Sequence, residues 1–195
     1  MSKRLVLAST SAYRRELLQR LALPFTCEPP GTDEIERPGE APAARALRLA
    51  GAKAAAVAGR LGDAIVIGSD QVASCATPAG VTILDKPGTR ERWAAQLALL
   101  SGRSVSFHTA VAIRGPGFTL DHVDVTRVDF RAFDAAEAAR YMRIDAALDC
   151  SGGFKAEGAG VALMSRLQSD DPTAIIGLPL IWLSGALREA GFAVP

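Results

Sequence analysis

The sequence predicts an α/β fold, a mixed sheet flanked by helices, in a single domain spanning residues 1–195. Three observations carry this. Short apolar runs bounded by turn residues alternate with longer stretches whose apolar residues recur every three or four positions, as expected for strands alternating with amphipathic helices. Two pairs of strand-like runs are separated only by turn residues, near Pro78–Gly80 and around Gly115–Pro116–Gly117, so part of the sheet must be antiparallel. With 49% hydrophobic residues, a chain of 195 is enough for one core at about 100–200 residues per domain.

Taken in order, residues 4–8 (RLVLA) read as a short buried strand. Ser9, Thr10 and Ser11 interrupt it, and Ser11 suits the N-cap of a helix over 12–21 with Leu17, Leu18 and Leu21 on one face. Pro24 marks the exit, and 25–28 suits a second strand. Residues 29–42 (PPGTDEIERPGEAP) read as a loop, and one of that length inside a compact chain is usually functional or mobile. An alanine-rich helix follows over 42–61, with Leu47, Ala50, Ala54, Val57 and Leu61 as its apolar face. Residues 64–69 (AIVIGS) predict a buried strand with Asp70 at its C-terminal end, then a hairpin returning at 81–84.

Residues 89–100 predict a helix stopped at Gly102, and 104–113 and 119–130 a second strand pair. Asp134 and Glu137 have the spacing of a capping box. The stretch CSGGFKAEGAG is a glycine-rich loop carrying Lys155 and Glu157. A strand near 160–164 and a helix near 179–190 complete the pattern.

The net charge of +1 argues against a nucleic-acid polymer as partner, since such proteins show a basic excess or stripe. Any anion must meet a local cluster. Cys27, Cys75 and Cys150 are far apart and odd in number, without zinc spacing, and read as reduced, mostly buried thiols of a cytoplasmic protein. The apolar run after the basic start is too short for a signal peptide, and no stretch approaches the ~20 apolar residues of a membrane helix.

Four segments carry chemistry. Arg14 and Arg15 follow Ser9-Thr10-Ser11 at a strand-to-helix junction, where a helix N-terminus already favours anions. Two solvated arginines on an amphipathic helix would fit equally. Asp70, in Gly68-Ser69-Asp70-Gln71, lies where α/β sheets place ligands, suited to bind Mg²⁺ or accept a proton from water, or simply to cap a turn. Lys86, with Lys53 and Lys155, would neutralise phosphate as point charges, although a single lysine is usually surface decoration. Asp33-Glu34 would complete a metal site or remain solvated loop acids. His108 and His122 lack partners at metal or triad spacing and read as strand residues. There is no G-x-S-x-G elbow, Walker loop or Rossmann fingerprint.

Taken together, LVLASTSAYRRELL, the GTDE loop, the helix bearing Lys53, IVIGSDQVA, ILDKPGT, LLSGRSVSFHTAVAI, CSGGFKAEGAG and DPTAIIGLPL resemble the Maf family of nucleoside-triphosphate pyrophosphatases, from about residue 5 to 183. The resemblance implies an inosine-triphosphatase-like fold of two lobes with a central cleft. It implies a divalent cation, Mg²⁺ or Mn²⁺, and hydrolysis of a nucleoside triphosphate to a monophosphate and pyrophosphate. It assigns the proton-acceptor role and metal binding to Asp70, and phosphate binding to Arg14, Arg15, Lys53 and Lys86, with Ser9 and Glu34 at further cleft positions.

Tyr13, Gln71 and Glu157 fall at positions that separate the family's branches and resemble the 7-methyl-GTP branch, with Tyr in place of the expected Trp. An aromatic face suits a cationic methylated base, and a carboxylate can accept guanine N–H groups. Ala12 stands where the family usually has Pro, and Asp85 where Gly is common. The resemblance also admits a dTTP or UTP pyrophosphatase, and a non-catalytic nucleotide-binding regulator linked to septum formation. A homodimer is a family-level expectation.

Overall fold

The computed structural model describes residues 3–195. The elements run β1 (Arg4–Ala8), α1 (Ala12–Gln19), β2 (Thr26–Cys27), α2 (Pro42–Leu61), β3 (Ala64–Thr77), β4 (Gly80–Leu84), α3 (Arg90–Leu100), β5 (Ser104–Gly115), β6 (Phe118–Phe130), α4 (Ala135–Ile144), β7 (Met164–Gln168) and α5 (Leu180–Glu189). Short 3₁₀ turns lie at Ser151–Gly153, Ala159–Leu163 and Ala174–Ile176. The strands form a mixed sheet in the order β2-β1-β3-β5-β6-β7, with β4 on β3, so the predicted mixed α/β class holds. The chain divides into two compact units. The first comprises Met1–Gln71, Thr109–Asp124 and Asp171–Pro195, and the second Val72–His108 and Val125–Asp170.

In the first unit β1 pairs in parallel with both β2 and β3, Leu7 lying opposite Cys27 and Ile67. Strands buried on both faces read as continuous apolar runs, which is why LVLA and AIVI were legible. Leu17 and Leu18 of α1 and Leu180, Leu183 and Leu187 of α5 pack with Leu5, Leu7, Ile65 and Ile67 in one apolar cluster. Helix α1 ends at Gln19, two residues before the predicted end, because Arg20 and Leu21 donate to the carbonyls three residues back, at 3.0 and 3.1 Å, and tighten the last turn. Leu21 still packs against the cluster.

Helix α2 starts on Pro42 and stops at Gly62, whose φ of 57° favours glycine. Its buried face is Ala46, Leu49, Ala50, Lys53, Ala54 and Val57, so the predicted face is corrected: Leu47 and Leu61 lie half-buried at its margins. The reason is Gly68 on β3. A Cβ there would stand 2.3 Å from the Ala50 carbonyl oxygen and 2.6 Å from the Ala54 nitrogen. Glycine facing alanines lets helix and strand backbones touch, and that close fit selects the helix face over the larger leucines. It brings Lys53 inward with the alanines.

A second correction concerns β3. It does not end before Asp70 but runs through it to Thr77 and turns into β4, so Asp70 lies mid-strand.

The second unit contains that antiparallel hairpin, from Ala73 opposite Leu84 to Thr77 opposite Gly80. Thr89 caps α3, and the predicted capping box of Asp134 and Glu137 forms at α4. The strand predicted near 160–164 is instead a 3₁₀ turn, and β7 begins at Met164. Gly160 donates its N–H to Asp145 Oδ2 at 3.3 Å and presses on the Lys155 carbonyl, so this stretch folds back on the glycine-rich loop before it can pair with β6. Of the three thiols only Cys75 is buried; Cys27 sits exposed on the two-residue β2 and Cys150 is half-buried. No helix among the described residues is long and apolar enough to cross a membrane.

Gly68→Ala should destabilise the fold by about 1–3 kcal/mol or more, read as a lower urea midpoint of unfolding, since its methyl meets backbone rather than a movable side chain. An unchanged midpoint would refute the tight contact between α2 and β3.

Candidate active site

Helix α2 presents Lys53 on its buried face, and β3 presents Asp70 towards it. Lys53 Nζ lies 2.6 Å from Asp70 Oδ1 and 2.6 Å from Glu34 Oε1. The two carboxylates differ in setting. The Lys53 and Asp70 side chains are each 9% exposed, whereas Glu34 is 55% exposed on its loop. An ammonium this deep in an apolar contact is tolerated only because carboxylates meet it.

The loop that brings Glu34 is tied to α2 by arginines of that helix. Arg48 makes a bidentate contact with Glu40, Nε to Oε1 at 2.7 Å and Nη2 to Oε2 at 2.6 Å, and its Nη2 also reaches the Ile35 carbonyl at 3.2 Å. Arg45 pairs with Glu36 at 3.2 Å, and Arg60 holds the Pro29 and Pro30 carbonyls at 2.7 and 3.1 Å. The long loop of the sequence is therefore fastened on both sides of Glu34.

Burial pushes the Asp70 carboxyl above the usual carboxylate range, with Lys53 and Arg14 opposing it and Glu34 reinforcing it. Burial likewise holds the Arg14 guanidinium down, while Asp70 and Glu34 pull it back up. Arg14 follows from the cap of α1. Ser11 Oγ accepts the Arg14 N–H at 3.4 Å, and the buried Ser9 Oγ accepts the Ser11 N–H at 3.1 Å. Arg14 Nε donates to the Gly177 carbonyl at 3.1 Å, which Ser69 Oγ also reaches at 2.9 Å. Tyr13 is half-buried and Arg15 exposed in the same turn.

Gln71 uses its amide nitrogen inward, 2.9 Å from Thr109 Oγ1 and 3.0 Å from the carbonyls of both Ala174 and Ile175. The structure thus gathers Lys53, Asp70, Glu34 and Arg14, and it places Ser9, Tyr13, Arg15 and Gln71 in the same unit.

Lys86, Lys155 and Glu157 belong to the second unit. Lys86 is exposed on the turn after β4, Lys155 half-buried and Glu157 exposed. Their glycine-rich loop is mounted on aromatics that the sequence reading did not single out. Trp93 Nε1 donates to the Gly153 carbonyl at 2.6 Å, and the Tyr141 hydroxyl accepts the Lys155 N–H at 3.0 Å. Gly153, at φ 61°, has no room for a side chain because a Cβ would stand 2.6 Å from Trp93. His108 and His122 lie on β5 and β6 as expected.

The turn at 171–181 was also unread. It lies in DPTAIIGLPL, a stretch that carries the family resemblance without a site residue of its own. Asp-Pro-Thr ahead of an apolar run ending in Gly is a turn signal and was available.

Among the described residues no three His, Cys, Asp or Glu side chains come together as an all-protein metal site. Asp70 and Glu34, however, bring two carboxylates together on one ammonium, that of Lys53. That donor set fits a hard divalent cation such as Mg²⁺, which takes one or two carboxylates and completes its shell with substrate phosphates and water.

The family profile described as Maf-like protein matches residues 4–190. The chain belongs to the Maf family. It is 55% identical to the 7-methyl-GTP pyrophosphatase of Xanthomonas oryzae pv. oryzae (strain KACC10331 / KXO85), covering 100% of both chains. It is 50% identical to the protein of that name from Burkholderia thailandensis, over 97% of this chain and 88% of that one. A solved structure of a HAM1 protein from Coxiella burnetii is similar at a TM-score of 0.45 and 21% identity, over 66% of this chain and 73% of that one.

The raised Asp70 pKa has a consequence for this Maf protein. A carboxyl whose folded pKa exceeds its unfolded one contributes stability that is complete at low pH and is lost as pH rises through the folded value. Lys53→Met removes the main opposing charge. It should cost roughly 3–5 kcal/mol near pH 7 and less as pH falls towards 4, since protonation of Asp70 relieves the uncompensated charge. Urea unfolding at the two pH values checks this; equal losses would count against the pair.

Proposed function

We propose that this chain is a metal-dependent nucleoside-triphosphate pyrophosphatase that hydrolyses the bond between the α and β phosphates, with 7-methyl-GTP as substrate. The observation carrying the reaction is the Lys53 ammonium held between Asp70 and Glu34, with Arg14 acting on the same carboxylates, a compact set of cations and oxygen ligands. The substrate reading is supported by full-length relatives named 7-methyl-GTP pyrophosphatase. Tyr13, Gln71 and Glu157 agree with it. The Tyr13 ring would face the cationic base, an attraction worth roughly 0.5–2 kcal/mol, and Glu157 would accept guanine N–H groups.

In this reading a water attacks the α-phosphorus. Its new P–O bond forms as the bond to the bridging oxygen breaks, giving a nucleoside monophosphate and pyrophosphate. Asp70 orients the water and takes its proton; the elevated carboxyl pKa makes it a better base than a solvent-exposed aspartate. Lys53 and Arg14 stabilise charge on the phosphates, with Arg15 and Lys86 as further phosphate contacts and Ser9 and Lys155 lining the substrate. Asp70 and Glu34 would hold a Mg²⁺ or Mn²⁺ ion, which when bound neutralises phosphate charge.

Asp70→Asn should lower turnover by about 10²-fold or more with the unfolding transition kept. Near-normal turnover of the variant would sink the assignment of Asp70. A triphosphate panel read as released pyrophosphate tests the substrate: 7-methyl-GTP should lead. Preference for dTTP or UTP would refute the branch, and tight binding without product would favour the regulator.

A further inference from the structure

Asp171 is 3% exposed, and a buried carboxylate needs full satisfaction. Backbone and hydroxyl donors meet it. Oδ1 accepts the Thr173 N–H at 2.8 Å and lies 2.6 Å from Thr173 Oγ1, while Oδ2 accepts the Ile181 N–H at 2.6 Å. Ile181 is in the first turn of α5, whose N-cap Pro179 has no side-chain hydrogen bond. Asp171 therefore caps α5 from a distance, a placement that the helix dipole favours. Thr173 Oγ1 accepts the Leu180 N–H at 2.8 Å and closes the same turn.

Between these anchors the chain turns its carbonyls to the neighbouring side chains. Ala174 and Ile175 receive Gln71, Ala174 receives Thr109, and Gly177 receives Ser69 and Arg14. Gly177 has φ 124°, a conformation that other residues rarely adopt, so its carbonyl direction is a feature of this turn and this glycine. The bond uses only the inner Nε–H of Arg14 and directs the guanidinium; the terminal amino groups are the ones left to meet an anion.

We propose that Asp171 is a positioning residue for Arg14, acting through the Gly177 carbonyl. This rests on the reading of Arg14 as a phosphate contact. Asp171 does not touch the substrate; it holds the turn that aims the guanidinium. Loss of a single Asp171 hydrogen-bond set loosens the aim, and the defect must then be transmitted through Arg14.

The test is a double-mutant cycle on the full chain, measuring pyrophosphate release from 7-methyl-GTP with Mg²⁺ for wild type, Asp171→Asn, Arg14→Ala and the double variant. Asp171→Asn should lower kcat/KM about tenfold, chiefly through KM, and should lower it less than about twofold once Arg14 is alanine. Equal losses in both backgrounds, or no loss in the single variant, would overturn the inference and leave Asp171 a structural cap. An Arg14→Ala protein as active as wild type would instead overturn Arg14 as a substrate contact, which is a separate failure. Should Asp171→Asn not fold, Gly177→Ala enters the same cycle. It disturbs the carbonyl directly through the φ of 124° that alanine strains, while its Cβ would stand 3.5 Å from Arg14 Nε.

Discussion

The structure turns on one buried ammonium. Lys53 stands among alanines on the sheet-facing side of α2 and is held 2.6 Å from each of two carboxylates. Removing a charge from water at this depth is costly, so the surrounding chain must supply opposite charge at fixed positions. Asp70 comes from a strand that cannot move without disturbing the sheet, and Glu34 from a loop fastened to the same helix as the lysine. Stability and chemistry share these groups. The burial that raises the Asp70 pKa and destabilises its charged form is also what suits it to accept a proton.

The two carboxylates have different freedom. Asp70 is enclosed, while Glu34 faces solvent over half its surface. Of the two partners of Lys53, Glu34 is the one that can move at little desolvation cost. Arg48, gripping Glu40, limits that movement to the residues between the loop's fastenings.

Much of this was legible from residues alone because local patterns and the fold agree. Ser11, the Asp134–Glu137 capping box, both hairpins and the short parallel strands form where the sequence places them. The errors share a cause: they concern facts that lie outside the local segment. The face of α2 was read from its largest apolar residues, but Gly68, far along the chain, decides it. Lys53 within an i, i+3, i+4 stripe of alanines was the available clue to burial. Asp70 was placed at a strand end because the continuation of β3 into the hairpin depends on pairing with β4. The strand placed near 160–164 was displaced by a contact with Asp145, and no periodicity announces such a contact. The role of Asp171 was illegible for the same reason, since its partners only meet through the turn it builds.

The fastening of the Glu34 loop to α2 sets how the site responds to mechanical disturbance. Lys53, the anchoring Arg45, Arg48 and Arg60, and hence Glu34, ride on one rigid helix. A small shift of α2 carries the ammonium and Glu34 together and leaves their separation unchanged. Only the gap to Asp70 would alter, and Gly68 governs that gap. The position of Asp70 against Lys53 is thus set by one backbone contact, the spacing between one helix and one strand. Substitutions beneath α2 can therefore retune the Asp70 carboxyl by changing its distance from Lys53.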